Sequence, residues 1–317
     1  MDWSLGLNLY SEYCCIFDPL DIKKKDVAQV LEEETCQIYL ICKRKKMYYE
    51  SCIKMPDGNS VITMYSLDAN HNKVYYKYAD KDLFINDYSG GYFRVAYNGQ
   101  QMEIRDFILI NSFHFLENDR IGSSVREQMP TDLEVMYVGQ TFGRNADKTI
   151  GYRIAKHEQI QQIALEIIKN GANEEILVIG IRVKENDVAM SIVTFDKNNT
   201  LPTIKELRDL QRDASMRPIG GQKITLYEAS LITYFQSECN KEYRNTFPSS
   251  GYSSYDEVYG MNFDHISFVL DSYAVGVRLY SANQRERKYA HTSYYPLDSE
   301  IKKKGFIEYL EEYMDIK

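Results

Sequence analysis

A chain of 317 residues, 44% hydrophobic and 26% charged with only 7 prolines, is too apolar to be disordered and long enough for two or three domains. Its net charge of −8 argues against a general nucleic-acid coat, since phosphate binding wants basic surface, but leaves room for a local basic groove. None of the cysteines (14, 15, 36, 42, 52 and 239) forms a CxxC pair and the histidines are scattered, which argues against a zinc site and for a reduced, cytoplasmic protein without a signal peptide or a membrane span.

The 27 tyrosines point to much β-structure. After a helix expected within "DPLDIKKKDVAQVLEEE", the runs "QIYLICKRKKMYYESCIKM", "NSVITMYSL", "NKVYYKYA", "YFRVAYNGQQMEI" and "DFILINSFHFL" alternate like strands. Turn signals, among them "MPDGN" and "LDANHN", separate them. The basic run "KRKK" at 43–46 reads as a solvated strand end, with a phosphate contact as the other reading. From about residue 130 the pattern changes. "DLEVMYVG" is a strand, and "TIGYRIAKHEQIQQIALEIIKN" is one amphipathic helix over about 150–169, stopped by Gly171. "EEILVIGIRV" and "DVAMSIVTF" are strands, "PTIKELRDLQRD" starts a helix with a capping box, and "TLYEASLITYFQSE" is a further helix. The linker "NTFPSSGYSSYDE" then leads to strands "FDHISFVL", "YAVGVRLYS" and "RKYAHTSYYPL" and a final helix "KKKGFIEYLEEYMD".

Several polar residues fall on apolar faces. At 100° per residue, Ile150, Ile154, Ile160, Ile163, Ala164, Ile167 and Ile168 form one stripe, and Arg153 and His157 lie inside it one turn apart. A buried arginine without a partner costs several kcal/mol, so Arg153 needs a partner carboxylate or a cleft. His157 alone would read as a satisfied core histidine. Glu228 projects from the stripe of Leu231, Ile232 and Phe235; alternatively, Thr225-x-x-Glu228 is a local capping box. Taken together, a carboxylate can hold a hard cation, an arginine can clamp phosphate oxygens, and a tyrosine or histidine can move protons or orient water. That set suits metal-assisted phosphodiester hydrolysis.

These residues resemble the GIY-YIG nuclease superfamily. Tyr137-Val138-Gly139 is similar to its "YIG" strand motif, Arg153 and His157 to the arginine and, in some branches, the histidine of its first helix. Glu228 matches its metal-binding helix glutamate, and "EASLITYFQSECN" places Asn240 at the position of its asparagine. The resemblance covers about 120 residues. It implies an α+β fold: a small GIY-YIG-like mixed domain over 129–250, flanked by a β-rich region at 1–128 and by strands plus a helix at 251–317 that pack with the first region. It also implies a catalytic set of Tyr137, Arg153, His157 and Asn240, with Glu228 holding Mg2+ or Mn2+. Arg144, Lys148 and Lys156 are the candidate nucleic-acid contacts. "GQTFGRNADKT", which holds the first two, reads either as a phosphate cradle or as a plain surface turn.

One motif is missing from this reading. The tyrosine of "GIY", commonly assigned as the general base, should lie on a strand before Tyr137, and no tyrosine occurs between Tyr97 and Tyr137. The expected strand is "DFILINSFHFL", with Phe113, His114 or Phe115 in the tyrosine's place; Tyr137, His157 or Tyr152 would then substitute, or the site is dead. The function implied is a metal-dependent endonuclease cutting DNA, or RNA, with a role in bacterial defence expected from the extra flanking modules. The alternatives are a degenerate nuclease fold that binds nucleic acid or protein, and an interaction protein in which Arg153 and Glu228 form a structural ion pair. Tyrosine-rich strands at both ends suit an interface between copies of the chain.

Overall fold

The computed structural model describes residues 3–33, 35–80, 83–86, 94–97, 100–103, 132–141, 150–155, 157–171, 173–183, 189–194, 220–241 and 265–296, with Thr203, Lys205, Arg208 and Arg244. In chain order these form β1 (Trp3–Phe17), α1 (Lys25–Glu33), β2 (Ile38–Lys45), β3 (Tyr48–Lys54), β4 (Ser60–Leu67), β5 (Lys73–Asp80), β6 (Leu83–Asn86), β7 (Arg94–Tyr97), β8 (Gln100–Glu103) and β9 (Leu133–Gln140). Then come α2 (Ile150–Ala155), α3 (Glu158–Lys169), β10 (Glu174–Val183), β11 (Ala189–Thr194), α4 (Gly220–Phe235), β12 (His265–Asp271), β13 (Leu279–Tyr280) and β14 (Ala290–Pro296). The chain is therefore an α+β protein in which strand outweighs helix.

One eight-stranded sheet, in the order β13-β9-β2-β10-β1-β12-β14 with β11 also paired to β1, organises the described residues. β1 is long because it serves two partners along one edge: Trp3–Asn8 pair with β11, and Ser11–Phe17 pair with β10. Its other edge carries β12 in parallel. Strands from all three expected segments share this sheet, so boundaries near 128 and 250 run through it. The regions join by backbone hydrogen bonding rather than by docking. Between β2 and β9 the chain makes two separate three-stranded antiparallel sheets, β3-β4-β5 and β6-β7-β8.

Alternation along the strands sends side chains to two cores. Leu40, Cys42, Val135, Val138, Leu177 and Ile179 face Ile224, Leu231, Ile232 and Phe235 of α4. Tyr39, Ile41, Met136 and Val178 face Leu31 of α1, Ile150 and Ile154 of α2, and Ile163 and Ile167 of α3. A bulge shifts the β2–β9 register between Ile41 and Cys42, so that Met136 has no partner of its own. Consecutive Met136 and Tyr137 therefore both join the α2–α3 side.

Several expectations need correcting. The helix expected over about 150–169 is two helices, broken at His157, whose backbone is extended at φ −82° and ψ 116°. The break narrows the stripe: α3 buries Ile163 and Ile167, while Ile168 is 66% exposed. "YAVGVRLYS" is not a continuous strand but a 3-10 turn, Tyr273–Val275, closed by left-handed Gly276 and followed by the two residues of β13. The "KRKK" run is not merely solvated. Arg44 is buried with its Nε donating to Glu175 at 2.7 Å, and Lys43 lies near Glu134 and Glu174. Burial pulls the Lys43 pKa down, but Glu134, Glu174 and Glu166 together outweigh it and the net shift is upward. "DFILINSFHFL", the final helix and most of "PTIKELRDLQRD" lie outside the described residues.

Candidate functional site

The site is built from β2 and β9 lying antiparallel. Their register sets Tyr39 opposite Gly139, Leu40 opposite Val138 and Ile41 opposite Tyr137. Tyr39 and Tyr137 thus project from neighbouring strands on the same face, with ring centroids 6.1 Å apart. The stretch Gln37-Ile38-Tyr39 opens β2, so a tyrosine does occupy the strand beside the "YVG" strand. It lies almost a hundred residues upstream of Tyr137, while the expected strand "DFILINSFHFL" lies outside the described residues. The intervening chain, which holds β3 to β8, separates the two strands in sequence but not in the sheet.

Gly139 has a physical reason to be glycine. A Cβ there would lie 2.6 Å from both Cζ and the hydroxyl oxygen of Tyr39, and 2.7 Å from Cε1 of Tyr137. Both rings lean over this bare backbone. Tyr39 is buried at 3% exposure, and Tyr137 is half-buried and easier to reach.

His157 completes the aromatic group. Its ring lies edge-on to Tyr39 at 5.5 Å and to Tyr137 at 4.8 Å. It is the N-cap of α3: its Nδ1 accepts the backbone N–H of Gln159 at 3.2 Å. In the neutral ring that leaves the proton on Nε2, so His157 faces its surroundings as a donor. A role for it as a base is correspondingly disfavoured, and orienting an oxygen suits it better.

Asn240 is 6% exposed and clamps the middle of the "YVG" strand. Its Oδ1 accepts the N–H of Val138 and its Nδ2 donates to the Val138 carbonyl, each at 2.9 Å. One residue earlier, the Cys239 N–H donates to the Met136 carbonyl. The amide side chain thus copies a neighbouring strand along the edge of β9 that β2 does not use. Asn240 holds Tyr137 and Gly139 in place through the backbone and is a positioning residue rather than a reacting group. Thr141 ties the far end of the motif to the start of β2, its backbone N–H donating to the Gln37 carbonyl at 2.7 Å and its Oγ1 to the Cys36 carbonyl at 2.8 Å.

Glu228 is the ninth residue of α4 and 8% exposed. Because α4 begins at Gly220, Thr225 is internal and the capping-box explanation fails. Helix α4 packs against β9 on the face of the sheet opposite Tyr39, Tyr137 and His157, so Glu228 is carried to the motif strand but from the other side of the sheet. Arg153 is carried by α2, whose Ile150 and Ile154 pack beneath Tyr39, but its side chain lies outside the described residues, as does that of Tyr152. Arg144, Lys148 and Lys156 lie outside them as well. Among the described residues no three His, Cys, Asp or Glu side chains are grouped as a metal cage. A site with one carboxylate, completed by waters and phosphate oxygens, is how magnesium is commonly held, and Glu228 fits that donor set.

No family model, no curated protein and no solved structure matches this chain.

Proposed function

We propose that the chain is a metal-dependent endonuclease of the GIY-YIG type acting on DNA phosphodiester bonds. The observation that carries the reading is Tyr39 on β2, set opposite Gly139 and beside Tyr137 on β9. What supports it is that the strand beside "YVG" carries a tyrosine, which could take the part of the one that the sequence lacks between Tyr97 and Tyr137.

Glu228 would hold Mg2+ or Mn2+, which when bound supplies charge stabilisation at the phosphate. Tyr39 and Tyr137 would share the work at the attacking water and the phosphate, the buried one polarised by its neighbours and the half-buried one reaching substrate. His157, a donor through Nε2, would orient a tyrosine oxygen. Arg153 would neutralise charge on the pentacoordinate phosphate, for which its forked donors are suited. Gly139 gives both rings room, and Asn240 fixes the strand that carries one of them.

The test is cleavage of supercoiled plasmid with Mg2+ or Mn2+ by the full chain, with Glu228→Gln and Arg153→Ala alongside. Cutting by the wild type, lost by at least about a hundredfold in both variants, supports the reading. A folded wild type that binds DNA in the presence of metal without cutting it sinks the reading in favour of a recognition module.

A further inference from the structure

The β3-β4-β5 sheet has one buried and one open face. On β4, Ser60, Ile62, Met64 and Ser66 are buried, and the residues between them are half-exposed. The open face carries a row of three tyrosines, one per strand. Tyr65 pairs directly with Tyr48 on one side and Tyr75 on the other. The Tyr48 and Tyr65 rings stack at 5.2 Å and 19°, and Tyr65 and Tyr75 lie 6.0 Å apart. Tyr75, on the edge strand, is 46% exposed. Cations stand among the rings: Lys73 Nζ lies 4.1 Å from the Tyr65 centroid and 5.9 Å from that of Tyr75, and Lys46 Nζ lies 5.8 Å from that of Tyr48.

Charge on this face departs from that of the whole chain. Alternation from Tyr65 puts Lys73 and Lys77 of β5 on the same face, and Lys46 sits over Tyr48. All three lysines are exposed. Among the described residues, Glu50, bound to Lys73 at 2.8 Å, and Glu175, close enough to act on Tyr48, are acids at this face. In a chain of net charge −8 this is a locally basic, aromatic surface.

We propose that this face docks single-stranded DNA, with the outer rings Tyr48 and Tyr75 stacking on unpaired bases and Lys46, Lys73 and Lys77 lying along the phosphates. Every base offers a π-face once it is unpaired, and a duplex hides those faces. The lysines supply the charge complement to the backbone. The proposal rests on the nuclease reading for its choice of DNA and extends it. Strand β2 runs from Tyr39 to Lys45, so the face begins roughly 20 Å along that strand from the tyrosine pair.

The test is fluorescence anisotropy of a labelled oligothymidylate of about 20 nucleotides with the full chain in EDTA, so that metal-dependent cutting does not intervene. A duplex and an oligouridylate of equal length are the comparisons. Tyr75→Ala should weaken single-strand binding by about tenfold while Tyr75→Phe retains it, because what matters is the ring. Lys73→Gln should lower the slope of log affinity against log salt by about 0.7. The melting temperature of Tyr75→Ala, an exposed position, should stay within a few degrees of wild type, which separates docking from a structural role.

The proposal is overturned if Tyr75→Ala binds as tightly as wild type, if the duplex binds as well as the single strand, or if only the RNA binds. It is also overturned if the chain binds no oligonucleotide and instead self-associates through a contact that Tyr75→Ala breaks. Plasmid cleavage reads the two ideas separately. Single-strand binding without any cleavage sinks the nuclease and leaves this surface standing, and cleavage with no Tyr75-dependent binding does the reverse.

Discussion

Two clusters of tyrosine and histidine lie on opposite faces of the eight-stranded sheet. On one face Tyr39, Tyr137 and His157 meet edge to edge; on the other, Tyr234, Phe235, Phe268 and His291 do the same at 5.1 to 5.5 Å. The second cluster is closed. His291 is fully buried, its Nδ1 meets the Tyr234 hydroxyl at 3.1 Å and its Nε2 the Lys288 carbonyl at 3.0 Å. A carbonyl only accepts, so Nε2 carries the proton and Nδ1 accepts from Tyr234. Both nitrogens are spent on the fold. In the first cluster the histidine is half-buried and caps a helix through Nδ1, and both tyrosines crowd Gly139 while Tyr39 also packs on Ile150 and Ile154. Ring geometry is much the same in the two. The exposure of the histidine is what separates the first cluster from the second.

The sharpest way to break this contrast is to remove one hydroxyl from each cluster. Tyr39→Phe keeps the ring over Gly139 and should lower the plasmid cleavage rate by ~10²–10⁴, the usual worth of a proton-handling group. Tyr234→Phe leaves the buried Nδ1 of His291 without its donor and should cost about 1–3 kcal/mol in urea unfolding while leaving cleavage unchanged. Equal effects of both changes on cleavage would erase the distinction.

Acid should act on the closed cluster. Burial, the largest cause, pushes the His291 pKa down to about 4. The unfolded chain binds that proton near pH 6.5, so as pH falls from about 6.5 toward 4 the unfolded state is favoured and stability declines, levelling off below. The loss across the window is on the order of 3 kcal/mol. Urea unfolding at pH 7 and pH 4.5 should show it in the wild type and show a shallower slope in His291→Gln. Parallel slopes in the two proteins would mean that the acid lability lies elsewhere.

How much of this could be read from the sequence follows the range of the interactions. Period-2 and period-3.6 patterns are local, and β2, β4, β5, β9, β10, β12 and α4 are found about where those patterns put them. The meetings of Tyr137 with His157 and of Val138 with Asn240 were legible because those residues lie at a fixed spacing within one continuous stretch. Tyr39 was not, because its partner strand is supplied by hydrogen bonding to β9 across a long insertion and spacing says nothing about that pairing. The break at His157 was missed for the opposite reason. Apolar residues keep a helical rhythm through 150–167, while a single residue's extended backbone and its cap to Gln159 interrupt the helix. The joining of the outer segments into one sheet is again a matter of pairing, since β1 reaches β10, β11 and β12 at separations no window of sequence spans.

The smallest expected effect bears on what the His157 ring is for. Asparagine is among the best N-caps, and its side-chain oxygen can accept from the second helical N–H much as Nδ1 now does. His157→Asn should therefore leave α3 and the thermal stability nearly unchanged, whereas His157→Ala should cost about 1 kcal/mol. The pair of variants separates the cap from the ring. If His157 only starts a helix, Asn restores cleavage and Ala lowers it no more than the stability loss explains. If the ring beside Tyr39 and Tyr137 orients a hydroxyl, both variants lose rate together and the alkaline limb of the cleavage pH profile moves, because a tyrosine that has lost a donor holds its proton more tightly. Rate and pH profile that follow stability alone would assign His157 to the fold, and would make the first cluster's difference from the second rest on its tyrosines.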